Sequence, residues 1–311
     1  MPVELVGVLP SAGREVDGSP RAWSDALRRL ADAHEAAGFD RVLVPAGPAA
    51  PDSHQVAAHV AVHTRRLGLL VEHRPGLAQP TVAARALASL DQFSDGRVAV
   101  YLPVCAPEHE RRRDGDVVPH HDVRARDLEY LRLLRRTWAA RDPVDVVGRF
   151  FRVEHYVNHV PPVHGHIPVY IGGSGDEAVR FAREEADVWL LPADLAPAAV
   201  PVTATGPDDN RGSAEEVPDP GSADAALVSA RRPDLGMTLT LTSDTEVHTL
   251  IDHVEAGATT LVLDGYELDG RLRALLAEVR EHAAASQAGE ATRATSPRAT
   301  SRSHHAHRDH R

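Results

Sequence analysis

The stretch Ile171–Gly175 carries the residue types best suited to binding an anion. It contains Gly172, Gly173 and Ser174, follows a short apolar run and precedes an amphipathic segment. Glycines let a backbone approach a ligand closely, and the free N–H groups of a helix start, together with a serine hydroxyl, favour a phosphate. The same pattern also fits a tight strand–helix turn in which Ser174 caps the helix. From spacing alone both interpretations stay open.

Other side chains that could take part in chemistry are scattered along the chain. Arg74 lies at the end of the third predicted strand, where it can meet an anion or form a structural ion pair, and His121 lies in a polar segment that suits a solvated loop or a site. The 19 histidines define no ligand spacing, and the His-rich residues 304–310 have no fold around them to fix a geometry. We therefore predict no metal site.

The composition limits the classes of function. The formal charge is −11, from 34 basic and 45 acidic residues, which argues against a nucleic-acid binder. The single cysteine, Cys105, excludes an internal disulfide and argues against a cysteine-based zinc site. We see no signal peptide and no apolar run of membrane-spanning length, so we expect a cytoplasmic protein without membrane contact.

Short apolar runs alternate with amphipathic segments along most of the chain. Arg41–Pro45 and Val98–Leu102 are runs that predict buried strands, whereas Arg21–Ala37 and Asp122–Ala140 have apolar residues at helical spacing. This alternation indicates a parallel sheet covered by helices, and roughly seven or eight such units favour a closed (β/α)8 barrel. In a barrel, Ile171–Gly175 would lie at the C-terminal end of a strand, where active sites are found.

Two regions interrupt this repeat and define the domain boundaries. Residues 193–233 are rich in Pro, Ala, Gly, Ser and Asp, and we predict a flexible loop there. Residues 284–311 are rich in Ala, Ser, Arg and His, and we predict a disordered tail. The barrel domain is therefore expected to span residues 1–283.

Several ordered segments resemble the bacterial-luciferase-like flavin monooxygenases, and most closely the alkanesulfonate monooxygenases. The segments are Arg74–Arg85, Ser89–Arg97, Val144–Val153, Ile167–Ser174 and Leu263–Tyr266. The resemblance extends over residues 1–195 and 236–280. It implies an α/β fold, a (β/α)8 TIM-like barrel of the bacterial luciferase type, here with a reduced seventh unit.

The resemblance also implies an activity. Members of this family bind reduced FMN, supplied by a separate NAD(P)H:flavin reductase, and use molecular oxygen to oxidise a small organic molecule. The cofactor carries the redox chemistry, and the protein supplies positioning and a water-poor pocket. Relatives commonly form dimers or tetramers, so a homo-oligomer is an expectation by analogy.

Site residues follow from the same resemblance. The residues that it places at the FMN phosphate are Gly172, Gly173 and Ser174. Val104 and Cys105 follow the fourth strand and would border the flavin. Tyr266 matches a tyrosine of the family's active site at the end of the last strand, where a phenol can donate a hydrogen bond to a substrate oxygen.

The chain departs from the alkanesulfonate monooxygenases where they carry polar chemistry. Ala12 and Ala50 replace a histidine and a cysteine, and Arg124 replaces a tyrosine. In the seventh strand, Thr238 and Thr240 stand where the family has an arginine and a histidine. A threonine neither offers a cation to a sulfonate nor acts as a base near neutral pH, so we expect a changed substrate.

These departures leave three questions for the structure. Arg74, Arg124 and His121 are the candidates for substrate contact. The reduced seventh unit puts closure of the barrel in doubt. Two alternatives to a monooxygenase also stay open: a catalytically degenerate flavin-binding or partner protein derived from this family, and a relative that takes a hydride with a deazaflavin cofactor.

Overall fold

The computed structural model describes residues 2–10, 20–104, 106–193, 233–242, 245 and 247–295. The strands within these residues are β1 (Glu4–Val8), β2 (Arg41–Val44), β3 (Gly68–Glu72), β4 (Val98–Pro103), β5 (Val144–Val147), β6 (Arg152–Tyr156), β7 (Val169–Gly172), β8 (Val188–Pro192), β9 (Asp234–Thr240) and β10 (Thr260–Asp264). The helices are α1 (Pro20–Ala37), α2 (Ser53–His63), α3 (Pro80–Phe93), α4 (Glu108–Arg113), α5 (His120–Ala139), α6 (Asp176–Glu185), α7 (Val247–Glu255) and α8 (Gly270–Thr295). β5 and β6 pair only with each other, as an antiparallel hairpin that the sequence pattern did not predict.

The other eight strands form one closed parallel barrel in the order β1-β10-β9-β8-β7-β4-β3-β2. The predicted barrel is therefore confirmed, and the doubt about its closure is removed. β9, the seventh strand of the barrel, pairs with β8 from Asp234 opposite Val188 and with β10 from Gly236 opposite Thr260, five residue pairs on each side. The wall is continuous because β9 pairs with a strand on each side.

Strand side chains alternate between the barrel interior and the layer under the helices. The interior cluster consists of Val6, Leu70, Ala99, Tyr170, Val188, Leu190 and Val262. The larger outer cluster lies between strands and helices, and Leu87 of α3 and Leu134 of α5 are fully buried in it. β3 is buried along its whole length because both of its faces are covered, which explains its uninterrupted apolar run.

A polar network closes the N-terminal end of the barrel. Arg41 Nε donates to Glu4 Oε1 at 2.7 Å, and the Tyr170 hydroxyl donates to Glu4 Oε2 at 2.6 Å. Arg41 Nη1 also donates to the carbonyl oxygen of Arg97 at 2.9 Å. These groups satisfy one another inside the wall, so the side chains available to a ligand lie at the opposite, C-terminal end.

The last helix is longer than the sequence predicts. We expected a helix that ends near His282 and a disordered tail from residue 284, whereas α8 runs to Thr295. Ala, Gln and Glu are frequent between residues 283 and 291, and their high helix propensity explains the continuation. Residues 296–311, most of the segment 193–233 and Cys105 lie outside the described residues. None of the described helices is long and apolar enough to cross a membrane.

Candidate active site

The turn between β7 and α6 lies at the C-terminal end of the barrel. β7 ends at Gly172 and α6 begins at Asp176. Gly173 has a φ of 138°, a conformation that residues with side chains rarely adopt. A Cβ at this position would lie 2.8 Å from the Ala178 Cβ. The turn therefore requires glycine, and the requirement comes from the close approach of backbone to helix.

The start of α6 offers free hydrogen-bond donors. The helix begins after Gly175 and has no side-chain cap, so Ser174 does not cap it, and the first-turn N–H groups have no side-chain acceptor among the described residues. Ser174 is exposed, and its hydroxyl has no partner among the described residues. Asp176 and Glu177 in the first turn weaken the attraction for an anion. Backbone and hydroxyl donors that converge at one helix start nevertheless fit a phosphate group.

Val104 lies directly beside this turn. Its N–H donates to the carbonyl oxygen of Gly172 at 2.9 Å, and Trp189 Nε1 donates to the carbonyl oxygen of Gly173 at 2.9 Å. The structure thus places Val104 next to the Gly172–Ser174 turn, and the resemblance assigns both to one flavin site. Cys105, the next residue, lies outside the described residues. The roles of these residues toward a flavin stay predictions.

Tyr101 of β4 faces the barrel interior next to the same turn. Its ring packs against the interior cluster, and a Cβ added to Gly172 would collide with its hydroxyl. This hydroxyl makes no hydrogen bond with a described residue, and it is not enclosed. Burial, with a smaller contribution from the charge of Glu72, raises the pKa of Tyr101 to about 12. The phenol is therefore protonated near neutral pH and able to donate.

Glu72 is a buried carboxyl group at the barrel mouth. It ends β3 opposite Tyr101, and only 9% of the residue is exposed. Burial raises the pKa of Glu72, against the opposing effects of the Ala46 N–H and of Arg74, whose Nε lies 3.6 Å from Glu72 Oε1. Neither Glu72 nor Tyr101 was predicted from the sequence. The available signal was a charged residue that ends a fully apolar strand at the catalytic face of a barrel.

Arg74 is held by carboxylates. Its Nη2 lies 2.9 Å from Glu110 Oε2 and its Nη1 lies 3.8 Å from Asp114 Oδ2, so that with Glu72 it has three acidic neighbours. Arg74 also lines a cavity of about 20 Å³, which is room for a single water molecule. This geometry favours the structural ion pair, and contact between Arg74 and a substrate stays a prediction.

His121 and Arg124 both lie on α5. The His121 side chain is 80% exposed, with Nε2 3.6 Å from Asp122 Oδ2. Arg124 Nη2 lies 3.9 Å from Glu184 Oε1 on α6. The contacts that the described residues make do not join either side chain to Glu72 or Tyr101, so their roles toward a substrate also stay predictions.

Tyr266 lies outside the barrel wall, between β1 and α1. The Val8 N–H donates to its hydroxyl at 3.0 Å, and the hydroxyl lies 2.7 Å from His34 Nε2. His34 Nδ1 lies 2.7 Å from the carbonyl oxygen of Leu30, so Nδ1 carries the proton and Nε2 accepts from the tyrosine. The Tyr266 ring also stacks on Phe39, with 5.3 Å between ring centroids.

The hydrogen bond to His34 uses the single proton that the Tyr266 hydroxyl can donate. The side chain packs against the outer cluster, and burial raises its pKa. Its hydroxyl extends the β1–β10 seam, because it accepts the Val8 N–H beyond the point where the strands stop pairing. The catalytic role of Tyr266 stays a prediction, and that role would require the hydroxyl to leave His34.

The seventh strand contributes no charged side chain to its upper half. Thr238 and Thr240 of β9 are exposed at the C-terminal end, and the only charged residue of this strand is Asp234 at its start. The structure thus places both threonines at the C-terminal end of the seventh strand, and their correspondence to an arginine and a histidine of the sulfonate enzymes stays a prediction.

A closed parallel barrel of eight strands with helices around it defines the class of (β/α)8 barrel proteins. Within that class, the chain belongs to the luciferase-like monooxygenase family, whose sequence profile matches residues 5–233. The match includes the Gly172–Ser174 turn, Tyr101 and Glu72, and it ends before β9 and Tyr266.

Solved structures share the fold. A monooxygenase from Streptomyces bottropensis is 16% identical with a TM-score of 0.66, over 91% of this chain and 99% of the other. An F420-dependent secondary alcohol dehydrogenase, in complex with an F420-acetone adduct, is 14% identical with a TM-score of 0.66, over 91% and 99%. The oxygenating constituent of 3,6-diketocamphane monooxygenase from Pseudomonas putida, in complex with FMN, is 13% identical with a TM-score of 0.63, over 90% and 97%.

Proposed function

We propose that the chain is a flavin-dependent monooxygenase that receives reduced FMN from a separate NAD(P)H:flavin reductase and oxidises a small organic substrate with molecular oxygen. Membership of the luciferase-like monooxygenase family supports the reaction class. The observation that supports the cofactor is the uncapped start of α6, where the glycine turn and the Ser174 hydroxyl, which has no partner among the described residues, fit a phosphate.

The residues of the turn would hold the cofactor by its phosphate. Gly172 and Gly173 bring the backbone close, Ser174 donates from its hydroxyl, and Val104 borders the ligand. When bound, reduced FMN supplies the electrons for the reaction with oxygen. The apolar interior cluster beneath Tyr101 keeps water away from the inner side of the mouth.

The charges at the mouth argue for a substrate other than a sulfonate. Arg74 is compensated by three carboxylates, and β9 presents Thr238 and Thr240. A sulfonate brought to this mouth would meet the carboxylate of Glu72, and the charge of Arg74 is already balanced by acidic neighbours even though its Nε and Nη1 make no hydrogen bond with a described residue, so binding would cost energy. We infer that the substrate is uncharged or carries its charge away from the reacting atom.

A turnover assay tests this function. The purified chain is supplied with a flavin reductase, FMN and NADH, and oxygen uptake and product formation are measured with a panel of small substrates that includes sulfonates. We expect substrate-dependent oxidation that Ser174→Asp abolishes, because a carboxylate in the phosphate site repels FMN. Sulfite release from sulfonates at the highest rate in the panel would contradict the inferred change of substrate.

A flavin-binding protein without turnover is the second candidate. It is favoured by the engaged hydroxyl of Tyr266 and by the uncharged end of β9. Saturable FMN binding without oxidation of any substrate in the panel would support it. Preferential binding of F420 over FMN in the same titration would instead support a deazaflavin-dependent relative.

A further inference from the structure

Two tyrosines stand at the C-terminal end of the barrel, on opposite sides of its wall. The Tyr101 ring packs against the interior cluster, whereas the Tyr266 ring packs against the outer cluster. The Tyr266 hydroxyl is bound by Val8 and His34. The Tyr101 hydroxyl has no partner among the described residues and is not enclosed. Of these two tyrosines, Tyr101 is therefore the one that presents a phenol toward the inside of the mouth without a partner in the described part of the chain.

The position of Tyr101 joins this phenol to the proposed flavin site. Its hydroxyl occupies the space that a Cβ of Gly172 would need, so the tyrosine can lie at this position only because residue 172 is glycine. β4 and β7 are adjacent strands, with Pro103 opposite Gly172. The path from the start of α6 into the barrel mouth thus passes the Tyr101 hydroxyl.

We propose that Tyr101 binds the cofactor by donating a hydrogen bond from its hydroxyl to the ribityl chain or the ring system of the flavin. The inference rests on the proposed function, because it requires the flavin phosphate at the Gly172–Ser174 turn. The phosphate itself would lie at the helix start, where the backbone donors are. Tyr101 lies inside the wall and below the turn, so it meets the part of the flavin that enters the mouth.

The chemistry of the surroundings makes this phenol a donor. Burial and the nearby Glu72 carboxylate raise the pKa of Tyr101 to about 12, so the hydroxyl keeps its proton at the pH of any binding assay near neutrality. Ribityl hydroxyls, ring carbonyl oxygens and ring nitrogens all offer acceptors. An uncharged phenol also adds no charge to a mouth that already contains Glu72.

Flavin titrations of matched tyrosine-to-phenylalanine variants test the proposal. The probes are oxidised FMN and riboflavin, which lacks the phosphate, and the measurement is the dissociation constant from flavin fluorescence. The variants are Tyr101→Phe, Tyr266→Phe and Tyr170→Phe, each of which removes one hydroxyl and keeps the ring. Tyr170 is the interior control, because its hydroxyl is bound to Glu4 at the far end of the barrel.

We expect Tyr101→Phe to weaken the binding of both FMN and riboflavin by about five- to tenfold. This change corresponds to the loss of one hydrogen bond of about 1–1.4 kcal/mol. Tyr266→Phe and Tyr170→Phe should bind both flavins within about twofold of the unmodified chain, since no flavin contact is lost. Circular dichroism of each variant establishes that the barrel is folded before the titration.

The outcomes separate this inference from the function on which it rests. Equal binding by the unmodified chain and Tyr101→Phe overturns the inference and leaves the flavin site intact. Weakening of FMN alone also overturns it, because the contact would then be with the phosphate. Failure of the unmodified chain to bind either flavin overturns the proposed function, and this inference with it.

Discussion

The two halves of the barrel mouth differ in what they offer a ligand. The β3–β4–β7 side contains the buried carboxyl of Glu72, the phenol of Tyr101 and the uncapped helix start after the Gly172 turn, and neither the phenol nor the helix start has a side-chain partner among the described residues. On the β9–β10–β1 side, the threonines of β9 are uncharged and the hydroxyl of Tyr266 is already bound. The first half is organised for binding, and the second half for closing the barrel.

This difference shows that a side chain is available to a ligand only if it lies on the interior face of the barrel wall. Two tyrosines near strand ends have the same chemistry in isolation, yet one points into the interior and the other is held between β1 and α1. The family match, over residues 5–233, covers the binding half and β1, and it stops before β9 and β10. The comparison can be tested by variants that disturb one half at a time.

The largest effect is expected at Gly173 of the binding half. Gly173→Ala should lower the free energy of unfolding by about 3 kcal/mol, because it adds backbone strain and a collision with Ala178. The matched control is Gly257→Ala, where φ is also positive, at 102°, but no atom lies within 4 Å of an added Cβ. That variant should lose about 1 kcal/mol. Urea unfolding measures both, and equal losses would show that the tight approach at the turn is not needed.

The folding stability that His73 contributes next to the binding half should decrease in acid. His73 follows Glu72, is buried against Tyr130 and His54, and burial followed by the charge of His54 lowers its pKa to about 3. Because the unfolded chain binds this proton near pH 6.5 and the folded chain does not, stability is full above that pH. It is lost at about 1.4 kcal/mol per pH unit as the pH falls from about 6.5 toward 3.

The variant His73→Gln should reduce this slope. Glutamine can keep a hydrogen bond to the Tyr130 hydroxyl and does not titrate. Between pH 6.5 and 5 the variant should lose about 2 kcal/mol less than the unmodified chain does in urea unfolding. An unchanged slope would place the acid sensitivity elsewhere, for example at His34 or His54, whose pKa values are also lowered by burial.

The smallest effect is the difference in the free energy of unfolding between the phenylalanine variants of the two tyrosines. Tyr266→Phe should lower the free energy of unfolding by about 1–2 kcal/mol, because it leaves the Val8 N–H and His34 Nε2 without partners. Tyr101→Phe should change stability by less than about 0.5 kcal/mol, since its hydroxyl has no hydrogen bond to another described residue. Thermal unfolding of the two variants side by side measures the difference. The reverse order of stability would contradict the division of the mouth into two halves.

The sequence predicts the frame of this protein better than its site. Alternating apolar runs and amphipathic segments predict the barrel because that periodicity is local, and the glycine turn stands out because its residue types are unusual. Tyr101 was missed because it looks like an ordinary strand residue, and the charge of Glu72 at the end of an apolar strand gains its meaning only when the register places the two residues side by side. Tyr266 was assigned by resemblance. No local sequence pattern predicts that His34, 232 residues away, accepts a hydrogen bond from its hydroxyl.

The central claim is that the Gly172–Ser174 turn binds the phosphate of FMN. Titration of FMN and riboflavin into the unmodified chain and into Ser174→Asp tests it most directly. A carboxylate beside a helix N-terminus is compatible with folding, but it repels a phosphate. The unmodified chain should bind FMN at least about tenfold more tightly than riboflavin. Ser174→Asp should lose that preference while its affinity for riboflavin is unchanged. Equal affinity of the unmodified chain for the two flavins, or an FMN preference that survives Ser174→Asp, would contradict the claim.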